Sequence, residues 1–509
     1  MSEELRKAEE DARLSSLEMD ERAVRALSER AAEIVSDYFT NISRRSVFPG
    51  QSEIERLEEI RGAVLGDEGE ALERIFDDFQ LVMDASRHNG HPRFFGYVAS
   101  PSTPLGAYAD LLASALNQNV TSWRSAPAAT EVEKTVVRWL SRLVGYGTDA
   151  SGLLTSGGSL ANLTALLVAH RTHAPRDVAR KGVRAADAPM TVYASAQVHL
   201  SIPKAADVLG LGRDYVRLVE TDEAFRLDVS DLRAKIEEDL RAGLKPFCVV
   251  ASAGTVNTGA VDPLEEIARV AEEYDLWFHV DGAYGALAAV DEQKRSLFRG
   301  MERADSLSLD PHKWLYAPVD CGCLLFRDAD RARAALSPGE ADYIKVHEEE
   351  EREAFAFWDY GIELSRRFRA LKLWMMLRYY GARRLSEAVA YDNALAQYLA
   401  GRIRASEDFE LLAPVSLSIC CFRYLPDEMR LKLDKAESEV ERETVNRQLD
   451  RINTRVMHAV QRGGRAYLSN ATLGGRFALR ACITNFRTTR EDMDYTLDVI
   501  RDAGAQTGQ

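Results

Sequence analysis

The stretch SLSLDPHKWLY, residues 306–316, decides how this chain is read. Alternating serine and leucine over SLSL has the period of a strand, and Pro311 closes it. Lys313 then stands between His312 and Trp314, directly after an apolar run, where a solvated lysine is out of place. Open parallel sheets set their ligands at the carboxyl ends of the strands, so a lysine just past a strand is a candidate for chemistry. Burial there would weaken the amine's hold on its proton and make it nucleophilic.

The neighbouring sequence supplies the sheet that this reading needs. MTVYAS (190–195), YVRLVE (215–220), PFCVVASAG (246–254), LWFHVD (276–281) and CGCLLF (321–326) are short apolar or β-branched runs. They alternate with helical segments such as PLEEIARVAEEYD (263–275), a pattern that predicts a mostly parallel sheet covered by helices. Upstream, Val24, Leu27, Ala31, Ile34, Val35 and Tyr38 recur at helical spacing and predict an N-terminal helix with one apolar stripe. Downstream, a long polar helix over about 434 to 462, the strand-like RFALRACITN (476–485) and a further helix predict a smaller C-terminal α/β unit. The shifts in pattern divide the chain into 1–95, 96–385 and 386–509.

Composition narrows the function classes. With 509 residues, 46% hydrophobic and 28% charged, the chain is an ordinary globular protein large enough for more than one core. A formal charge of -15 opposes a polyphosphate partner, so no nucleic acid is expected. The first twenty residues lack the apolar core of a signal peptide, and no run of about 18 apolar residues occurs; a cytoplasmic protein without a membrane partner is expected. The six cysteines show no CxxC spacing, which predicts reduced core thiols and no metal centre.

Three further elements converge on Lys313. Asp281 ends the strand LWFHVD, so its carboxylate should face the same crevice, and a buried carboxylate needs a cationic partner. That partner is either Lys313 or the protonated ring nitrogen of pyridoxal phosphate. In LLTSGGSLANLTALLVAHR, Gly157 and Gly158 permit close backbone approach and Ser159 adds a hydroxyl at the start of a helix, whose N–H groups suit a phosphate. It is neither a Walker loop nor a dinucleotide fingerprint. His199 lies just past MTVYAS, where a flat imidazole could stack on a heteroaromatic ring.

In this order, HPRFFGYVASPS, APAATEVE, TSGGSLANL, HVDGAYG, DPHKWLY and DYGIELSRRFRALKLW make the chain resemble the group II pyridoxal-phosphate-dependent amino acid decarboxylases, the family of aromatic-L-amino-acid and glutamate decarboxylases. The likeness runs from about 44 to 489 and leans to the aromatic branch. It implies an α/β chain of the aspartate-aminotransferase-like fold, fold type I. A large domain binds the cofactor, a small C-terminal domain follows, and the N-terminal helical segment packs across a homodimer. The implied reaction is decarboxylation of an amino acid to its amine, with alternatives in aldehyde-forming oxidative deamination, transamination, carbon–carbon lyase chemistry or a non-catalytic homologue.

The resemblance also implies roles. Lys313 would bond the cofactor aldehyde as a Schiff base, Asp281 would hold the proton of the ring nitrogen, and His199 and Ala283 would press on the two ring faces. Gly158 and Ser159 would bind phosphate, His312 would lie beside the lysine, and Thr255 would border the ring. Tyr343, on a loop that in the family closes over the site, would return a proton to Cα; tyrosine rather than phenylalanine there favours the amine over the aldehyde. Asp310 stands where animal relatives carry asparagine, and a direct phosphate contact is not assigned to it. Around the substrate, Tyr97, Val98, Asn119 and Thr121 make a smaller, more polar pocket than in the animal enzymes, leaving the amino acid open.

Overall fold

The computed structural model describes residues 17–148, 150–337 and 354–507. By contacts the chain divides into two units, Met1–Arg45 and Ser46–Gln509. The first holds the expected helix, Glu21–Asn41, begun by Asp20, whose carboxylate accepts from the Ala23 N–H at 2.7 Å.

The second unit carries two sheets, built from β1 (Phe94–Phe95), β2 (Ser151–Thr155), β3 (Met190–Ser195), β4 (Val216–Val219), β5 (Lys245–Ser252), β6 (Trp277–Asp281), β7 (Ser306–Leu309), β8 (Gly322–Phe326), β9 (Phe409–Leu411), β10 (Ile419–Tyr424), β11 (Tyr467–Leu473) and β12 (Arg476–Cys482). The larger has the order β2-β8-β7-β6-β5-β3-β4, and only β8 runs against the rest. The six runs between 190 and 326 singled out in the sequence are its strands β3 to β8, and RFALRACITN supplies β12 of the smaller sheet. Strands β3, β6, β7 and β8 are buried along their whole length, as a sheet covered on both faces requires. Parallel direction delivers the ends of β2, β3, β5, β6 and β7 to one edge. In register there, Asp281 sits between Ser252 of β5 and Ser308 of β7.

The smaller sheet has the order β1-β11-β12-β10-β9, so its outer strand comes from Phe94–Phe95, which pairs with Tyr467 and Leu468. The polar helix expected from 434 starts instead at Glu439. Ser438 and Glu441 form a capping box there, and Asp427–Lys435 is a separate helix. Between the sheets runs the helical stretch Ala370–Arg404, broken at Gly381, where φ of 70° favours a residue without Cβ. All six cysteines are buried and free. Among the described residues no helix is long and apolar enough to cross a membrane.

Candidate active site

The shared edge of the larger sheet opens onto a cavity of about 590 Å³. Its wall includes Lys313, Asp281, His199, His312, Gly158, Ser159, Thr255, Ala283, Tyr97 and Val98, ten of the positions expected from the sequence.

The placement of Lys313 follows from its neighbours. The helical turn Pro311–Trp314 follows β7 and sends alternate side chains in opposite directions. Trp314 is fully buried, stacked on Tyr284 with ring centres 5.2 Å apart, and its Nε1–H donates to Asp392 at 2.9 Å. The Tyr316 hydroxyl donates to the same carboxylate at 2.8 Å. With Trp314 and Tyr316 tied to the core, Lys313 is left to the cavity.

Its electrostatics correct the expectation of a weakened proton affinity. Burial acts that way most strongly of any one cause, but Asp310, whose Oδ2 lies 2.8 Å from Nζ, and the charge of Asp281 together outweigh it, so the amine holds its proton more tightly than an ordinary lysine. Of the two carboxylates, it is Asp310 and not Asp281 that forms an ion pair with Lys313 among the described residues. Asp281 is buried and accepts from Asn162 Nδ2 at 2.8 Å, the Ala283 N–H at 3.2 Å and the Ser308 hydroxyl at 3.2 Å. All three donors are neutral, and no ion pair to Asp281 forms among the described residues. A buried carboxylate without a cation, at a cavity wall, suits a protonated nitrogen brought in by a ligand.

The phosphate cradle fits too. The helix Gly158–His173 starts at the cavity; the N–H groups of Leu160 and Ala161 donate to the Gly157 carbonyl at 3.0 and 3.1 Å, while those of Gly158 and Ser159 have no acceptor within the helix. A Cβ on Gly158 would stand 2.7 Å from Ala283 Cβ and 3.0 Å from Asp310 Oδ2, so any larger residue would fill the space. His312 Nδ1 accepts from the Cys321 N–H at 3.1 Å, and its Nε2 lies 3.7 Å from Asp310 Oδ2. Burial pulls the pKa of His312 down, against the pull of Asp310. Burial likewise lowers that of His199, with Asp281 opposing. Both rings are therefore neutral near neutral pH. Thr255 lines the cavity and shares a hydroxyl contact of 3.0 Å with Thr258.

Two expected pocket residues are elsewhere in this chain. Asn119 Oδ1 accepts from the Arg366 N–H at 2.9 Å, and Thr121 pairs through its carbonyl with the Phe357 N–H at 2.9 Å; neither lines the cavity. Tyr343 lies outside the described residues.

The structure adds three residues. Asp310, set aside in the sequence, is buried in the wall, and its Oδ1 has no hydrogen-bond partner among the described residues. Asn162 lies four residues past Gly158 and so on the same helix face, a spacing visible in TSGGSLANL. Arg480 is a charged residue inside the apolar strand RFALRAC. Its Nη1 donates to the Tyr97 carbonyl at 2.8 Å and its Nε to the Val256 carbonyl at 2.8 Å, while Nη2 is buried without a hydrogen-bond partner among the described residues. A cation with an open donor in the wall can take an anionic group of a substrate.

Comparison with known proteins agrees with this geometry. Residues 55–425 match the pyridoxal-dependent decarboxylase conserved domain. The chain is 34% identical over 479 residues to an aromatic-L-amino-acid decarboxylase of Bacillus atrophaeus, covering 94% of this chain and 95% of that one. It is 30% identical to a phenylacetaldehyde synthase of a Rosa hybrid cultivar, covering 92% and 91%. Among solved structures, mouse CSAD superposes with a TM-score of 0.88 at 29% identity, covering 96% and 99%. Oryza sativa TDC with PLP and tryptamine superposes with a TM-score of 0.86 at 28% identity, covering 96% and 99%.

Proposed function

Since the chain belongs to the pyridoxal-dependent decarboxylase family and is a carboxy-lyase that uses pyridoxal 5'-phosphate, we propose that it converts an L-amino acid into carbon dioxide and the primary amine. The observation that carries this reading is the pairing of two groups on one cavity: a lysine amine and a buried carboxylate with no cation of its own.

When bound, the cofactor supplies an aldehyde that amines can exchange on and a ring that takes up the electrons of the bond being broken. The residues of the chain divide the remaining tasks. Lys313 is the amine that holds the aldehyde. Asp281 keeps a proton on the ring nitrogen, and its three neutral donors hold the carboxylate in place for that purpose. His199 and Ala283 line the cavity beside Asp281 and confine the ring, and Gly158 and Ser159 offer N–H groups to the phosphate. Arg480 takes the carboxylate of the amino acid and so orients it before bond breaking. His312 places a neutral imidazole beside the lysine, and Tyr343 returns the proton to Cα. The apolar stripe of Glu21–Asn41 buries none of its residues, which supports a homodimer in which a second copy covers it.

Relatives named for aromatic amino acids make those the first substrates to test. A second reading, decarboxylation with oxidation to an aldehyde, is favoured by the similarity to phenylacetaldehyde synthases. The assay that separates them loads the protein with cofactor, offers the common amino acids plus ornithine, diaminobutyrate and dihydroxyphenylalanine, and measures carbon dioxide, amine, aldehyde and keto acid. Equal yields of carbon dioxide and amine support the proposal, and aldehyde as the main product overturns it. Replacing Tyr343 with phenylalanine should move product from amine toward aldehyde; an unchanged ratio removes Tyr343 from the reaction.

A further inference from the structure

Behind the cavity, the buried side chain of Asn162 meets three others. Its Nδ2 lies 2.8 Å from Asp281 Oδ2 and 2.9 Å from Ser201 Oγ, and its Oδ1 lies 3.0 Å from His279 Nε2. Beyond Ser201, its Oγ is 2.8 Å from His199 Nδ1. Beyond His279, Nδ1 is 2.8 Å from Ser306 Oγ, which accepts from Trp277 Nε1 at 2.9 Å.

The proton positions follow from what each group can do. An indole can only donate and a carboxylate only accept. The Asn162 amide must turn its two N–H bonds to Asp281 and Ser201, so its oxygen requires a proton on His279 Nε2. Burial lowers the pKa of His279 to about 4, so that ring is neutral and its Nδ1 is bare. Nδ1 takes the Ser306 hydroxyl proton, leaving the Ser306 oxygen to accept from Trp277. On the other branch, Ser201 accepts from Asn162 and gives its own proton to His199 Nδ1, which also receives the Ser201 N–H at 3.3 Å. Each hydrogen bond named here has one donor and one acceptor, and His199 is left with its proton on Nε2.

Resting on the function proposed above, we infer that Asn162 is a positioning residue for the reaction. One amide, oriented by His279, holds the Asp281 carboxylate in place and fixes the tautomer of His199. Other titratable or charged groups at the same wall, Lys313, Asp310, His312 and Arg480, make no hydrogen bond to this chain of groups among the described residues. A single side chain thus sets the state of both groups that would flank the ring.

The test uses the full-length holoenzyme and two readouts: steady-state kinetics on the best substrate, and the pH midpoint of the Lys313-dependent visible absorbance of bound cofactor. Replacing Asn162 with alanine should lower kcat about tenfold to a hundredfold, the loss of one hydrogen bond to a charged group, with KM changed less than about threefold. The absorbance midpoint should move by more than about half a pH unit. Ser201→Ala cuts only the branch to His199, and should lower kcat while leaving the midpoint in place. His279→Gln keeps a donor and should rescue what His279→Leu loses; this pair carries the test where Asn162→Ala does not fold. Variants that only melt earlier, with kcat and midpoint as in the wild type, overturn the inference while the function proposed for the site stands. A wild-type protein without Lys313-dependent absorbance overturns both.

Discussion

Lys313 Nζ lies 2.8 Å from Asp310 Oδ2, so the amine that must bond an aldehyde is held as an ammonium by its own neighbour. Only the neutral amine is nucleophilic, and the ion pair raises the pH at which it becomes available. Replacing Asp310 with asparagine removes the anion and leaves the burial. Cofactor uptake by the cofactor-free protein, followed by visible absorbance, should therefore move to lower pH. At a fixed mildly alkaline pH the uptake rate should rise about tenfold for every pH unit by which the profile moves. An uptake profile identical to that of the wild type would show that Asp310 does not control the amine.

Asp392 bridges Trp314 and Tyr316 to the stretch Ala370–Arg404, and burial raises its carboxyl pKa from 3.8 to about 7. The folded protein thus keeps this proton in a window, about 4 to 7, where the unfolded chain has lost it. Stability from this group is full below the window and falls as pH rises through it. Asp392→Asn, neutral throughout, should gain on the wild type by up to about 1.4 kcal/mol per pH unit across that window. Denaturant melts at pH 5 and pH 7 check it, and a constant difference between the two proteins contradicts it.

Arg480 has a buried Nη2 without a hydrogen-bond partner among the described residues, while its other nitrogens hold the carbonyls of Tyr97 and Val256. Arg480→Lys keeps the charge and loses the forked geometry. KM for the amino acid should rise on the order of tenfold or more, with the visible absorbance of the bound cofactor preserved. An unchanged KM would confine Arg480 to holding Tyr97.

The strands and the lysine were legible because their signals are local: apolar runs of strand length, and a proline that ends β7 just before Lys313. What stayed hidden depends on distant partners. APAATEVE and SRRFRALKLW carry the family resemblance with no role attached to their charges, and their Glu133 and Arg366 form an ion pair inside the core, where Glu133 also accepts the Leu154 N–H at 2.8 Å and Arg366 donates to the Val120 carbonyl at 2.8 Å. Nothing in the spacing tells such a pair from a functional one. The competition of Asp281 and Asp310 for Lys313 was equally invisible, since it turns on which carboxylate reaches the amine first. Asn119 was placed at the pocket by motif position alone, and its side chain serves the backbone of Arg366 instead.

The most direct test is to load the protein with pyridoxal 5'-phosphate, reduce it with borohydride so that the cofactor stays on the amine it has bonded, and map the modified peptide by mass spectrometry. The increment is expected on Lys313 and to be absent from Lys313→Ala. An increment confined to another lysine, or none after saturating cofactor, would contradict the central claim that this amine and the Asp281 carboxylate form the reaction centre.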